Sequence, residues 1–183
     1  VCSLPDHRNV CESFNASHLI SVIDPGFQPK TPKCVEKHLK LGFDDIIEIK
    51  EENKVFRCPG FDSKQILPNK EHINKIINFI ETWDQSQPLV IHCWCGVSRS
   101  MATAIFIICK INPNKIKSNV QYMRSIAPHA NPNKLMVSLF EKYLKVEGKI
   151  NENLNKYPHT VTYDCTNNFA PICIFKLNEL KKT

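Results

Sequence analysis

The stretch His92-Cys93-Trp94-Cys95-Gly96-Val97-Ser98-Arg99-Ser100 sets a thiol, a glycine, a guanidinium and two hydroxyls within nine residues. Leu89, Val90 and Ile91 lead in and read as a short buried strand. Met101, Ala102, Ala104, Ile105, Ile107 and Ile108 follow at the spacing of a buried helix. A loop that enters a helix leaves the first amides without intrahelical partners, and the helix dipole adds positive potential. Such a turn binds anions. The same field favours the thiolate of a cysteine placed there. Arg99 supplies a planar fork matched to two oxygens of one phosphate. Five residues between Cys93 and Arg99 let the backbone curl round one tetrahedral anion, with the sulfur beneath the phosphorus. Gly96 offers a position without Cβ for the sharp turn. Ser100 can donate a hydrogen bond to the sulfur and ease its later departure. The amides from Trp94 through Cys95, Gly96, Val97 and Ser98 to Arg99 are the expected partners of the oxygens. These residue types at this spacing fit nucleophilic displacement at phosphorus.

Around that core the roles are less direct. His92 reads as a buried residue that orients the loop, not as a base. Trp94 stacks on an aromatic substrate or packs against a neighbouring helix. Cys95 fills space, or bridges to Cys93 under oxidation and silences the nucleophile. His92, Cys93 and Cys95 are metal-ligand types, but a zinc site needs a fourth ligand and Cys-x-Cys is not the usual spacing. No metal or cofactor is expected. Two other functions compete: a phosphate-binding module without turnover, and a redox enzyme of the sulfur- or arsenate-transfer type.

His-Cys-x-x-Gly-x-x-Arg-Ser resembles the phosphate-binding signature of cysteine-dependent protein tyrosine and dual-specificity phosphatases. The Gly96-to-Ser100 ending is closest to the dual-specificity branch, which argues against the redox rival. The likeness runs from about Ala16 to Leu144 and is greatest to small bacterial tyrosine-phosphatase-like proteins. It implies an α/β fold with a central, mostly parallel, twisted sheet of about four to five strands flanked by helices. It implies hydrolysis of phosphate monoesters through a phosphocysteine, with phosphotyrosine on proteins as the first choice of substrate. The loop carries no lysine between Cys93 and Arg99, unlike lipid-directed relatives, which disfavours inositol lipids.

The resemblance also implies a general-acid aspartate just after the strand that His38–Leu41 suggests. Leu41-Gly42-Phe43-Asp44-Asp45-Ile46 matches that place, and Asp45 is the first choice. Asp44 and Asp62 are alternatives, since an aspartate after a strand also serves as a turn former or cap. Asp62 precedes Cys93 by 31 positions, the more typical spacing. Residues 50–64 resemble an insertion, either a rim beside the site or a surface loop. Arg124 followed by Pro132-Asn133 resembles the arrangement that supports the catalytic loop.

The elements that must position these groups follow from pattern. A short helix is expected near Asp6–Phe14 and strands at His18–Ile23 and His38–Leu41. Asp24-Pro25-Gly26 breaks the first strand. Asn69 caps a helix whose apolar face is Ile73, Ile76, Ile77, Ile80 and Trp83. Ile116, Val120 and Met123 mark another helix, ending near Ala127-Pro128. Asn131 as cap and Pro132 at the first helical position open the next, with Leu135, Met136, Leu139, Phe140 and Tyr143 inward. Thr160–Tyr163 and Ile172–Phe175 suggest a hairpin added to the sheet, or a tail that docks on a partner. Residues 1–150 form the expected catalytic domain, and 151–183 an extension packed on it or partly mobile.

Composition sets outer limits. A chain of 183 residues is enough for one domain with a sizeable core. Nine cysteines at irregular spacing fit a reducing cytoplasm better than a disulfide framework. The net charge of +6 suits an anionic substrate, but the lysines are scattered, so nucleic acid is not an expected partner. The expected partner is a phosphorylated protein or a small phosphoester. No 18-residue apolar run suggests a membrane span, and the opening residues lack the apolar core of a secretory signal.

Overall fold

Six residues rich in β-branched and aliphatic side chains, His18–Ile23, form the central strand β1, buried along its whole length. A strand covered on both faces has no polar side to show. In this computed structural model, which describes residues 1–52, 55, 57–60, 63–163 and 168–180, β1 pairs in parallel with β2 (Lys37–Gly42) and β3 (Leu89–His92). The order is β2-β1-β3. The sheet thus has three strands among the described residues, fewer than the four to five expected. The outer edge of β3 is covered by an irregular segment instead. Cys2 N–H donates to Ile91 O at 3.1 Å and Leu4 N–H to Trp94 O at 2.9 Å. Edge backbone groups need partners, and a segment too short and kinked for a strand supplies them.

Parallel pairing brings the C-terminal ends of all three strands to one edge, where ligands of open α/β sheets bind. Asp24 follows β1, Phe43-Asp44-Asp45 follow β2, and Cys93 follows β3. Helix α1 (His7–Ser13) lies against β3. Helix α2 (Lys70–Glu81) begins at Asn69, whose side chain accepts the His72 N–H at 3.0 Å. It buries Ile73, Ile76, Ile77 and Ile80, while Trp83 falls just beyond its end. Helix α3 (Arg99–Ile111) is buried from Arg99 to Cys109. It is the central helix, packed on the sheet and on α4 (Ile116–Ile126) and α5 (Lys134–Leu144). The rings of Phe106 and Phe140 stack at 4.2 Å between α3 and α5.

Three local expectations are corrected. The cap of α5 is Asn133, not Asn131, because the Asn133 side chain accepts the Met136 N–H at 3.0 Å. Pro132 therefore precedes the cap rather than opening the helix. The described tail residues form no hairpin. Their backbone groups find partners singly: Thr160 N–H donates to Pro128 O at 2.9 Å, and Cys173 N–H to Val1 O at 2.8 Å. Two more helices also appear, α6 (Lys149–Lys156) and the short α7 (Leu177–Leu180). The buried Glu141 carboxylate collects the N–H groups of Gly148, Ile150 and Asn151 at the start of α6. A carboxylate there satisfies orphan donors and complements the helix dipole. Ile150, Leu154, Cys173 and Leu180 join the same core as the sheet. Among the described residues no helix is long and apolar enough to cross a membrane.

Candidate active site

Cys93 sits where β3 ends, 2% exposed. Its Sγ lies 3.1 Å from the Ser100 hydroxyl in the first turn of α3. Between them the loop turns through Gly96 at φ 77°, a left-handed conformation. A Cβ at Gly96 would also stand 3.0 Å from the backbone of Cys2, so glycine is required there twice over. The loop carbonyls point outward. Trp94 O accepts from Leu4 N–H at 2.9 Å, and Val97 O accepts from Asn131 N–H at 2.9 Å. In a planar trans peptide the next N–H points the opposite way. The amides of Cys95 and Ser98 are thereby aimed away from both flanking segments.

Arg99 is the first residue of α3 and is also 2% exposed. Its Nη1 donates to Asp24 Oδ1 at 2.8 Å and to the Phe43 carbonyl at 2.5 Å. Its Nε has no hydrogen-bond partner and stands 3.7 Å from Asp45 Oδ2. Burial works against the charge, but Asp45, Asp24 and Cys93 outweigh it and hold the guanidinium above its ordinary pKa. One edge of the fork is thus fixed to protein, and the Nε edge is left over. Asp24 was read from sequence only as part of a strand break. It is buried, and its second oxygen accepts the Trp94 indole N–H. The signal that could have found it is an acid at the C-terminal end of a strand in a parallel sheet.

The two adjacent aspartates have separate jobs. Asp44 is 3% exposed. Arg57 grips it with two bonds, at 2.6 and 2.8 Å, and Ile66 N–H donates to it at 2.7 Å. Both Asp44 oxygens are thus committed to structural hydrogen bonds. Asp45 is exposed. Its Oδ1 accepts from the Ser98 hydroxyl at 2.7 Å and from Asn133 Nδ2 at 2.8 Å. Both of these donors fall on Oδ1, and Oδ2 is the oxygen toward Arg99 Nε. Asp62 lies outside the described residues.

A model of the dual specificity phosphatase catalytic domain matches residues 31–145. The chain belongs to that family. Among curated proteins it is similar to a probable dual specificity protein phosphatase of Dictyostelium discoideum, 26% identical over 153 residues. That match covers 82% of this chain and 34% of the relative, so the chain spans about a third of the relative's length. The structure of DUSP15 superposes with a TM-score of 0.59 at 17% identity, covering 87% of this chain and 92% of that one. Human DUSP28 gives a TM-score of 0.53 at 14% identity, covering 75% and 83%. The human tyrosine phosphatase-like serine/threonine/tyrosine-interacting protein gives 0.54 at 17% identity, covering 75% and 82%. These structures share the fold.

In this dual specificity phosphatase domain the remaining residues of the loop are placed as follows. His92 is fully buried, its Nδ1 at 3.1 Å from the Cys93 carbonyl and its Nε2 at 2.6 Å from Ser21 Oγ. Burial, opposed by the Cys93 backbone bond and aided by His7 and Arg99, pushes its pKa down to about 4. Trp94 packs its ring 5.0 Å from that of Phe27, in the loop after β1. Cys95 is disulfide-bonded while Cys93 is a free thiol, so Cys95 does more than fill space and its bond is not to Cys93. Asn133 holds Asp45 rather than the loop. Loop support comes from Asn131 N–H on Val97 O, and Arg124 steadies that segment through the Ala130 carbonyl. The described part of the 50–64 segment is pinned at Asp44 by Arg57 and at Gly26 O by the Cys58 thiol, 3.4 Å away.

Proposed function

We propose that this domain hydrolyses phosphate monoesters, phosphotyrosine on proteins first among them, through a phosphocysteine at Cys93. The sulfur attacks phosphorus in line, forming the S–P bond as the P–O bond to the leaving group breaks. Asp45 Oδ2 gives that oxygen its proton. Water then attacks phosphorus and returns a proton to Asp45. The S–P bond breaks, and Ser100 stabilises the departing sulfur. Arg99 and the loop amides hold the equatorial oxygens and oppose the charge of the transition state.

The single observation that carries this reading is the half-satisfied guanidinium of Arg99. A buried polar hydrogen without a partner costs about 1–3 kcal/mol, more when charged. A structural arginine would be held at both edges. Here Nη1 is anchored twice, while Nε makes no hydrogen bond and only faces Asp45 Oδ2 at 3.7 Å. A phosphate oxygen supplies what that edge lacks.

Ile47 and Ile49 support an aromatic leaving group. They are 54% and 63% exposed and follow the acid by two and four positions, apolar surface close in the chain to the proton donor. Seven free cysteines among the described residues support a cytoplasmic location; the bonded Cys95 is the exception.

Hydrolysis of p-nitrophenyl phosphate without added metal tests the reading. Turnover that vanishes in Cys93→Ser is the expected result. Bound phosphate with no turnover in the parent protein overturns it in favour of a silent binding module. Cys93→Ser used to trap phosphoproteins from a cell extract then reports the substrate class.

A further inference from the structure

Polar side chains that the phosphatase chemistry leaves unused form one connected line across the sheet, from buried His92 out to exposed Thr31. His92 Nδ1 faces the Cys93 carbonyl at 3.1 Å, so that nitrogen carries the hydrogen and Nε2 is bare. Ser21 Oγ, 2.6 Å from Nε2, must therefore donate to it. With its hydrogen committed, the Ser21 oxygen accepts from His38 Nε2 at 2.7 Å. His38 Nδ1 is then bare and accepts from the Thr31 hydroxyl at 2.9 Å. One carbonyl thus fixes every hydrogen along the line.

The line follows the strand register. Ser21 on β1 is the pairing partner of His92 on β3 and of Lys40 on β2. His38 stands two residues before Lys40, so it projects from the same face. Ser21 and His92 are both fully buried, and Thr31 is exposed. A small apolar residue would fill the Ser21 position at little cost if packing were its only task.

We propose that Ser21, His38 and Thr31 are positioning residues of this phosphatase, holding His92 in the single tautomer that clamps the Cys93 peptide. That peptide is where strand becomes loop. Its plane also carries the Trp94 amide, which points opposite to the clamped carbonyl. Fixing the plane therefore sets both the height of the sulfur and the aim of the first loop amide. Without the Ser21 donor, the imidazole divides its hydrogen between two nitrogens, and the Cys93 carbonyl loses its partner for part of the time.

The surroundings keep both rings neutral. His92 faces His7 from α1, with ring centroids 5.0 Å apart, Arg99 from α3, and His38 from β2. His38 also faces Lys40 on its own strand. Burial comes first, and each of these neighbours adds to it in resisting a proton on either ring.

The inference rests on Cys93 being the nucleophile, and its test does not need turnover. Alkylation of Cys93 by iodoacetate is followed by mass spectrometry of its peptide as a function of pH, beside kcat and KM. Ser21→Ala should move the pH midpoint of alkylation upward and lower kcat about tenfold, the scale of a misplaced supporting group. Ser21→Thr keeps the hydroxyl and should restore both. His38→Phe breaks the line nearer the surface and should shift the midpoint in the same direction. It decides the matter if Ser21→Ala does not fold. An unchanged midpoint in a folded Ser21→Ala or His38→Phe protein overturns the proposal. So does a Ser21→Thr protein as impaired as Ser21→Ala. If the parent protein turns over nothing, the phosphatase reading falls while the alkylation midpoint still decides this one.

Discussion

The loop from His92 to Ser100 and the wall that faces it are built in opposite ways. The loop is contiguous: the thiol proposed as nucleophile, the turn glycine, the guanidinium and the hydroxyl beside the sulfur lie within nine residues. The wall is assembled from places far apart in the chain. Asp24 comes from the end of β1, the Phe43 carbonyl and Asp45 from the end of β2, and Asn133 from the start of α5. Arg99 belongs to the loop but is aimed by the wall, through Asp24 and Phe43. The difference teaches that a chemical group and the geometry that makes it useful need not share a segment. Three parallel strands ending at one edge are what unite them.

Breaking the loop should have the largest effect. Cys93→Ser removes the nucleophile, and Arg99→Lys replaces a two-pronged fork by a point charge. Each should lower kcat/KM for p-nitrophenyl phosphate by about a thousandfold or more. Asp24→Asn attacks the wall instead, keeping an acceptor for Arg99 but removing its charge. A loss of about a hundredfold is expected. Parent-like activity in Asp24→Asn would mean that the loop aims Arg99 by itself.

The two neighbouring aspartates sharpen the comparison inside the wall. Asp45→Asn should slow phenyl phosphate about a hundredfold but p-nitrophenyl phosphate only a few-fold, since a good leaving group needs little proton donation. An equal loss on both esters would move the acid role away from Asp45. Asp44→Asn should do the reverse. Its pair with Arg57 is buried, with side chains 5% and 7% exposed, and breaking one partner costs about 3–5 kcal/mol. Urea denaturation should show that loss, with kcat of the folded protein little changed.

Acid should weaken the fold through the neutral histidines. His92 has a pKa of about 4 in the folded protein, against an ordinary 6.5. Above pH 6.5 neither state takes the proton. Below it the unfolded chain does and the folded protein refuses, so stability falls from pH 6.5 down to about pH 4. The loss from this residue is about 3 kcal/mol. Urea midpoints at pH 7 and pH 4.5 measure it, and His92→Asn should flatten the dependence. The smallest effect belongs to Trp94→Phe, which removes the indole bond to Asp24 but keeps an apolar ring. About 1 kcal/mol of stability should go, read as a lowered urea midpoint.

Much of this molecule was legible in the residues alone because the signals were local. The loop, the buried α3, the Asn69 cap and the two longer strands each rest on neighbours a few positions away, and all appear where expected. What residue type alone could not separate was the look-alikes, which only a resemblance or a position in the pattern ranked. Asp44 and Asp45 are adjacent and chemically identical, and only the Arg57 grip on one and the Ser98 and Asn133 bonds to the other separate them. Asn131 and Asn133 both flank Pro132, and only the Met136 contact shows which is the cap. Asp24 looked like a strand breaker, since nothing nearby reveals that Arg99 and Trp94 will arrive beside it. Local pattern determined which groups exist and which backbone shape each segment takes, because those depend on short-range sterics and periodicity. Tertiary structure alone decided which carboxylate meets which donor, because those distances close only when the strands pair in register and the helices pack over them.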